Sequence, residues 1–595
     1  MRWLRRIIVG IFAIIGFLVV VLVAVGAYFG AKLVAPAHTV PDVAVLRLDL
    51  TRPLLAAGRR DSLAGLLQPE QLSLRQVEEA LERAGGDARV KGLVLRLGAP
   101  LGFAASQELR DAVAAFRKRG KFALAFAESY GGPGLGSGDY YLAAGCEEIW
   151  LQPSGELGLA GIAVETPFLR GTLDKLGVVP RFDKREEYKT AVDELTDTAY
   201  SPPFRESMES ILGSLYGQLV KGIADGRGMS VEAVKALIDR GPFLAADALK
   251  DKLVDRLGYR DEAEDAARRH AGAGAGFISL ADYLRATERD TSGSRVIAVI
   301  DGDGPIVSGE GDFDSPFGVS QMGADTIVKA FGEAQRSDDV AAIVFRIDSP
   351  GGSSLASDTI WRAVSRAQAA GKPVIVAMGN VAASGGYYIA APAAKIVAEP
   401  GTLTGSIGVF GGKFVVTDLL AKLGVSLDSV QFGANADMWS AGRDFTPQGW
   451  QHLEASLDAV YHDFTSKVVA GRHLDASRIP AIAKGRVFTG EQAKALGLVD
   501  ALGGFPTALA LARQAARIGA QETIRLRSYP RPERGLRLLL RYLDDQQARS
   551  AIGVGRIADR LAAQAPGLRP LLAELPALVT AEDADLLMPP LAIAY

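Results

Sequence analysis

One unit is written twice in this chain, and no other feature limits its architecture as much. Asp87-Ala-Arg-Val-Lys-Gly-Leu-Val-Leu-Arg96 returns as Ser337-Asp-Asp-Val-Ala-Ala-Ile-Val-Phe-Arg346, a polar lead into a short apolar run. Each run leads to a proline loop (Pro100, Pro350), a helix-like stretch closed by Gly120-Lys121 or Gly371-Lys372, and a second apolar run. Ser137-Gly-Asp-Tyr-Tyr-Leu-Ala143 then matches Ser384-Gly-Gly-Tyr-Tyr-Ile-Ala390. Lys175-Leu-Gly-Val178 matches Lys422-Leu-Gly-Val425, and Leu253-Val-Asp255 matches Leu498-Val-Asp500. The displacement stays between 245 and 251 residues, so the body is a tandem duplication. Within each copy, short β-branched runs alternate with helical periods, the pattern of β–α units around a mostly parallel sheet. The expected class is α/β, with a first repeat over residues 42–285 and a second over 294–515. Residues 286–293 read as linker, as does the Ala/Gly-rich stretch 268–276. The tail, 516–595, holds no copy of the unit from Thr523 on, and its stretch 536–543 is amphipathic enough for a packing helix, a membrane surface or a partner subunit.

Residues 7–31 carry no charge and are rich in Ile, Val, Leu, Phe, Ala and Gly. As a helix at ~1.5 Å per residue the run crosses a ~30 Å hydrocarbon core, and it exceeds the apolar region of a secretory signal. A faint cleavage pattern at Ala35-Pro36-Ala37 keeps removal as the minor alternative, and a buried core helix is the bland one. Arg2, Arg5 and Arg6 precede the run and only Lys32 follows closely, so residues 1–41 read as a cytoplasmic tip and transmembrane anchor. The expected location is a bacterial inner membrane, single-pass, N-terminus in and body in the periplasm.

Composition removes several function classes. Lys plus Arg is 66 against 69 Asp plus Glu, a net charge of −3, which disfavours a partner held through nucleic-acid phosphates. A lone Cys146 excludes an internal disulfide and a Cys-rich metal site, and five histidines leave little for a His-rich centre or a Ser-His-Asp triad. No metal and no organic cofactor is expected. What remains is concentrated in the second copy. In Ile347-Asp-Ser-Pro-Gly-Gly-Ser353, two glycines after a proline let bare N–H groups approach a ligand, as an oxyanion hole requires. Ser384 of Ala382-Ala-Ser-Gly-Gly-Tyr-Tyr388 opens a helix, either as an ordinary N-cap or as a nucleophile with the Gly385 N–H as oxyanion donor.

Ser349-Pro-Gly-Gly352, Ala383-Ser-Gly-Gly-Tyr-Tyr388 and Pro400-Gly-Thr-Leu-Thr-Gly-Ser-Ile-Gly408 together resemble the signal peptide peptidase A (protease IV) family. The duplicated body and N-terminal anchor resemble its long tandem form. The resemblance implies two tandem Clp-protease/crotonase-like domains, each a spiral of β–β–α units, and a Ser/Lys dyad serine peptidase that degrades cleaved signal peptides at the membrane. Single-copy members carry the lysine downstream of the serine, at a place that falls here on Ala436 within residues 432–439, where no lysine stands. Lys189 of the first copy lies 247 residues before Ala436 and is the repeat equivalent of the missing base, although most lysines are merely solvated. As a base it needs burial to lower its pKa from ~10.4 toward ~7–8. Ser406 matches the family position that orients the lysine, and its first-copy counterpart is Leu159. The oxyanion donors are then Gly385 and either Gly352 or Gly351. Ser137, the first-copy counterpart of Ser384, reads as an N-cap rather than a second nucleophile, because Asp139 replaces Gly386 and the double glycine is absent.

Two rivals stay open on the residues alone: a crotonase-like acyl-CoA enzyme, for which no basic nucleotide loop is evident, and a non-catalytic membrane scaffold. The expected partners are apolar peptides, lipid around the N-terminal helix, no nucleic acid, and further copies of the chain. With the serine and lysine in different copies, a ring of fused pairs is expected, a tetramer by the family resemblance.

Overall fold

The repeated apolar runs become strands of two parallel sheets with the same strand order. In the computed structural model, which describes residues 39–54, 71–131, 136–288, 294–311, 320–519 and 522–530 and the backbone of 585–587 and 593–594, the first repeat forms a six-stranded sheet. Its order is Gly276–Ser279, Ala44–Leu50, Val90–Leu97, Phe122–Ala127, Glu148–Leu151, Arg256–Leu257, every neighbour parallel. The second repeat lays down Ile524–Tyr529, Arg295–Asp303, Val340–Ser349, Val374–Ala383, Lys395–Ala398 and Ala501–Leu502 in the corresponding order, again all parallel. It adds Leu403–Gly405 beside Val374–Ala383, and Val487–Thr489 antiparallel to that addition.

Parallel strands covered on both faces read as continuous apolar runs instead of alternating ones, and Phe122–Ala127 is buried at every position. Helices Phe103–Lys118 and Ser354–Ala369 occupy equivalent places and bury Phe116, Val113, Ile360 and Val364 against their sheets. Each such side chain contributes roughly 1.5–3 kcal/mol on burial. The two longest helices among the described residues, Pro202–Arg227 and Pro447–Arg472, are also a repeated pair. Ser201 and Thr446 cap them by accepting from Phe204 N and Gly449 N, with proline in the first turn.

The repeats are joined by more than the chain. Val179–Arg185 of the first pairs antiparallel with Val409–Val415 of the second, Arg185 opposite Val409 and Val179 opposite Val415. That ladder is the end of a third sheet ordered Met322–Gly323, Ile306–Val307, Gly351–Ser353, Asp585–Leu587, Val409–Val415, Val179–Arg185. On another side of the junction, Glu108 pairs with Arg346 at 2.9 Å and accepts from Phe505 N at 2.6 Å. Gln107 there accepts from Gly401 N at 2.7 Å, and Asn380 from Ala105 N at 3.1 Å.

Two sequence expectations change. Residues 268–276 are not a linker: helix Arg260–Ala271 takes the first four of them and Gly276 starts an edge strand, with a short turn between. The Ala/Gly-rich composition that suggested a linker belongs to the turn that starts at Gly272, where the helix gives way, while Arg and Ala before it are good helix formers. The tail reading also starts too early, since Ile524–Tyr529 closes the second sheet beside Arg295–Asp303 as Gly276–Ser279 closes the first. The unit thus has one more repeated strand, hidden because Gly276-Phe-Ile-Ser279 and Ile524-Arg-Leu-Arg527 share no motif. The apolar run 7–31 and the stretch 536–543 lie outside the described residues. Among the described residues no helix is long and apolar enough to cross a membrane.

Candidate active site

Strand Val340–Ser349 ends at Pro350, and the chain turns through Gly351 (φ 110°) and Gly352 (φ 151°) before Ser353 caps helix Ser354–Ala369. Both glycines hold backbone angles that a side chain disfavours. Gly352 also has no room for one, because a Cβ there would lie 2.1 Å from the carbonyl oxygen of Ile306. Val374–Ala383 ends next door and delivers Ser384 to the N-cap position of helix Gly385–Ala390. Ser384 sits at φ 54°, a strained conformation for a residue with a side chain, costing about 1–3 kcal/mol. Its N–H is held by the carbonyl of Gly405 at 2.8 Å. A Cβ on Gly385 would lie 3.1 Å from Gly352 N and 3.2 Å from Gly351 Cα, so the proposed donors stand side by side.

The N-cap alternative for Ser384 fails, because its hydroxyl makes no cap hydrogen bond. Lys189 Nζ instead donates to Ser384 Oγ at 2.7 Å, and to the hydroxyl and carbonyl oxygens of Ser406 at 3.1 and 3.3 Å. All three residues are 0 % exposed. The lysine reaches them because the cross-repeat ladder carries the chain to Arg185 against the second copy, and Glu186 (φ 78°) turns it inward. Tyr188 N then donates to Lys484 O at 3.1 Å. Salt bridges from Lys484 to Glu187 and Arg486 to Glu206 tie down the same segment.

The structure brings Ser384, Ser406, Gly385, Gly351 and Gly352 of the second copy together with Lys189 of the first, and what seats the lysine was missed in the sequence. A Cβ at Gly485 would lie 2.5 Å from Lys189 N and 2.7 Å from its Cα, and one at Gly408 would lie 3.3 Å from its Cδ. A signal existed: Gly241 stands at the corresponding place in the first copy, where its Cβ would meet the carbonyl of Leu159, the counterpart of Ser406. Ser357, whose Oγ donates to Ser353 O at 2.8 Å and lies under Gly385, carried no sequence signal.

The first copy lacks this arrangement. Ser137 is not an N-cap: Gly136 holds that position, and Ser137 Oγ donates to Gly161 O at 3.0 Å. The Asp139 carboxyl is pushed up to about 6 by burial. Among the described residues no group of three or more His, Cys, Asp or Glu side chains could hold a metal ion. A buried amine in contact with a strained serine hydroxyl, beside two adjacent glycine backbones, is equipped to take a proton from that hydroxyl and to stabilise an oxyanion.

The sequence profile of peptidase family S49 matches residues 115–274 and again 366–519, two segments displaced by the repeat offset. The chain is similar to a protein named "Serine protease SPPA, chloroplastic" from Arabidopsis thaliana, 32% identical over 82% of this chain and 71% of that one. It is similar to "Protease 4" of Salmonella typhi, 36% identical over 78% of this chain and 75% of the relative. A "Putative signal peptide peptidase SppA" from Enterococcus faecium is 34% identical over 28% of this chain and 49% of its own.

Proposed function

We propose, from the premise that this chain belongs to peptidase family S49 and is a serine peptidase, that Ser384 and Lys189 are its catalytic dyad. The observation that carries the reading is the 2.7 Å contact between Lys189 Nζ and Ser384 Oγ, both fully buried and contributed by different repeats. Burial disfavours an ammonium ion, which favours the neutral amine a base must be. In that state the contact runs in reverse, with the serine O–H donating to Nζ. Lys189 takes this proton as Ser384 Oγ attacks the scissile carbonyl, and the N–H groups of Gly385 and Gly352 hold the oxyanion, Gly351 setting the turn. Protonated Lys189 passes the proton to the leaving amine. Water then releases the acyl group by the same steps reversed. Ser406 holds the amine on line with Ser384.

The substrate is an extended, largely apolar peptide, the character of a released signal peptide. The finer fold reading is a pair of Clp-protease/crotonase-like spirals, supported by the matching sheet orders of the repeats. The chain is membrane-anchored through residues 7–31, faces the periplasm and assembles with further copies of itself; the charge-free run behind three arginines supports the anchor. A fluorophosphonate probe tests the core of this reading. It labels Ser384 in the unaltered chain and fails to label Ser384→Ala. Lys189→Ala and Lys189→Arg each lose ~1,000-fold or more in kcat/KM while remaining folded. Near-normal turnover by Lys189→Ala would place the base elsewhere.

A further inference from the structure

The groove beside the oxyanion turn already contains a strand from this chain. Asp585–Leu587 runs antiparallel to Gly351–Ser353, with Leu586 opposite Gly352 and Leu587 opposite Gly351. On its other side it pairs antiparallel with Val409–Val415, Asp585 opposite Phe410. It also packs against helix Gly385–Ala390, which follows the nucleophile. A peptide whose carbonyl is to reach Ser384 and the Gly352 N–H must lie along that edge, and adding as a strand is the usual way an extended peptide is held.

A second short strand of the same tail repeats the placement. Ile593–Ala594 pairs antiparallel with Ala163–Val164, Ala594 opposite Ala163. Ala163 lies 247 residues before Phe410, so the tail sets one strand at the same register in each repeat. Two equivalent placements mark a place built to accept a strand.

We propose that Asp585–Leu587 is an intramolecular competitor for the peptide groove, which a substrate must displace before it is cut. This rests on the reading of Ser384 and Gly352 as the reacting site. The hold is short: three residues pair with Gly351–Ser353, and Pro589-Pro590 follow in the sequence without N–H groups to extend a ladder. A peptide that pairs over a longer stretch therefore wins. While the competitor is bound, apparent affinity for substrate falls in proportion to the fraction of open groove.

The test compares the full chain with full-length Leu586→Pro, which breaks the short strand, and with Leu587→Pro as a second variant. With an apolar fluorogenic peptide, KM falls by about 3- to 10-fold in both variants while kcat is unchanged. A synthetic peptide of residues 581–590 inhibits the variants competitively and the unaltered chain more weakly. Equal KM values with Ser384 still labelled by fluorophosphonate would overturn the competitor alone. Loss of labelling and of cleavage in the unaltered chain would overturn the dyad and the competitor with it.

Discussion

At Lys189 the decisive quantity is the space around an amine. Nothing between Nζ and Ser384 Oγ exceeds hydrogen-bond length, and the amine is closed off from water. If the neutral form is the base, kcat/KM rises with pH through the pKa of the free enzyme's lysine, since protonation below it removes the base. A stopped assay across pH 5 to 10 checks this, and an activity flat from pH 5 upward would point to a carboxylate. The seat of the lysine makes a sharper prediction. Gly485→Ala forces a Cβ against the Lys189 backbone at φ +79° and pushes the amine off line, so kcat of the folded enzyme falls by ~100-fold and the melting temperature also drops, by several degrees. Ser406→Ala lowers kcat less than Lys189→Ala does. Ser137→Ala is expected to leave it unchanged, because that hydroxyl is bonded to the Gly161 carbonyl and not to Ser384 or Lys189.

At the scale of elements, the junction between repeats stores a protonation effect. Glu399 follows strand Lys395–Ala398, is 2 % exposed, and its carboxyl is pushed up to about 9 by burial and by neighbouring Glu108. The unfolded chain releases that proton near pH ~4.3. Between those values the folded state holds a proton that the unfolded state does not, so stability is highest below the lower one and declines as pH rises toward the upper. Glu399→Gln removes the dependence: thermal melting at pH 5 matches the unaltered protein, and at pH 8 the variant melts ~2–4 °C higher. The sequence disclosed the sheets because their strands recur at a fixed displacement, and it pointed to Lys189 only through the family resemblance, which implies a lysine at the place of Ala436, carried back 247 residues to the first copy. It did not disclose the ladder of Val179–Arg185 on Val409–Val415, nor Glu108 with Arg346, since pairing between distant segments leaves no local period. The edge strands Gly276–Ser279 and Ile524–Tyr529 escaped for another reason: at a sheet edge, geometry is repeated and side chains are free to diverge.

For the whole molecule, the duplication leaves one surface unmatched. Residues 426–432 are the repeat equivalents of Val179–Arg185, yet they form no strand, and Leu427, Val430 and Phe432 are exposed, the last at 95 %. A second copy offering the first-repeat counterpart of Val409–Val415 would complete the pattern, and repetition of that contact would close the proposed ring if its rotation closes. Light scattering of residues 42–595 is expected to give a multiple of the single-chain mass, and Phe432→Asp with Val430→Asp to lower it; a fully active monomer would remove the ring. Separately expressed halves are expected to be inactive. If Ser384 and Lys189 are the proposed dyad, dividing it across the cross-repeat ladder also sets a clock. A ribosome delivers Lys189 first and Ser384 195 residues later, roughly 10–40 s at ordinary elongation rates. On that proposal the emerging polypeptide is cleavable but cannot cleave until the second half has folded onto the first, so it would be silent toward itself and its neighbours during the interval when it is most vulnerable.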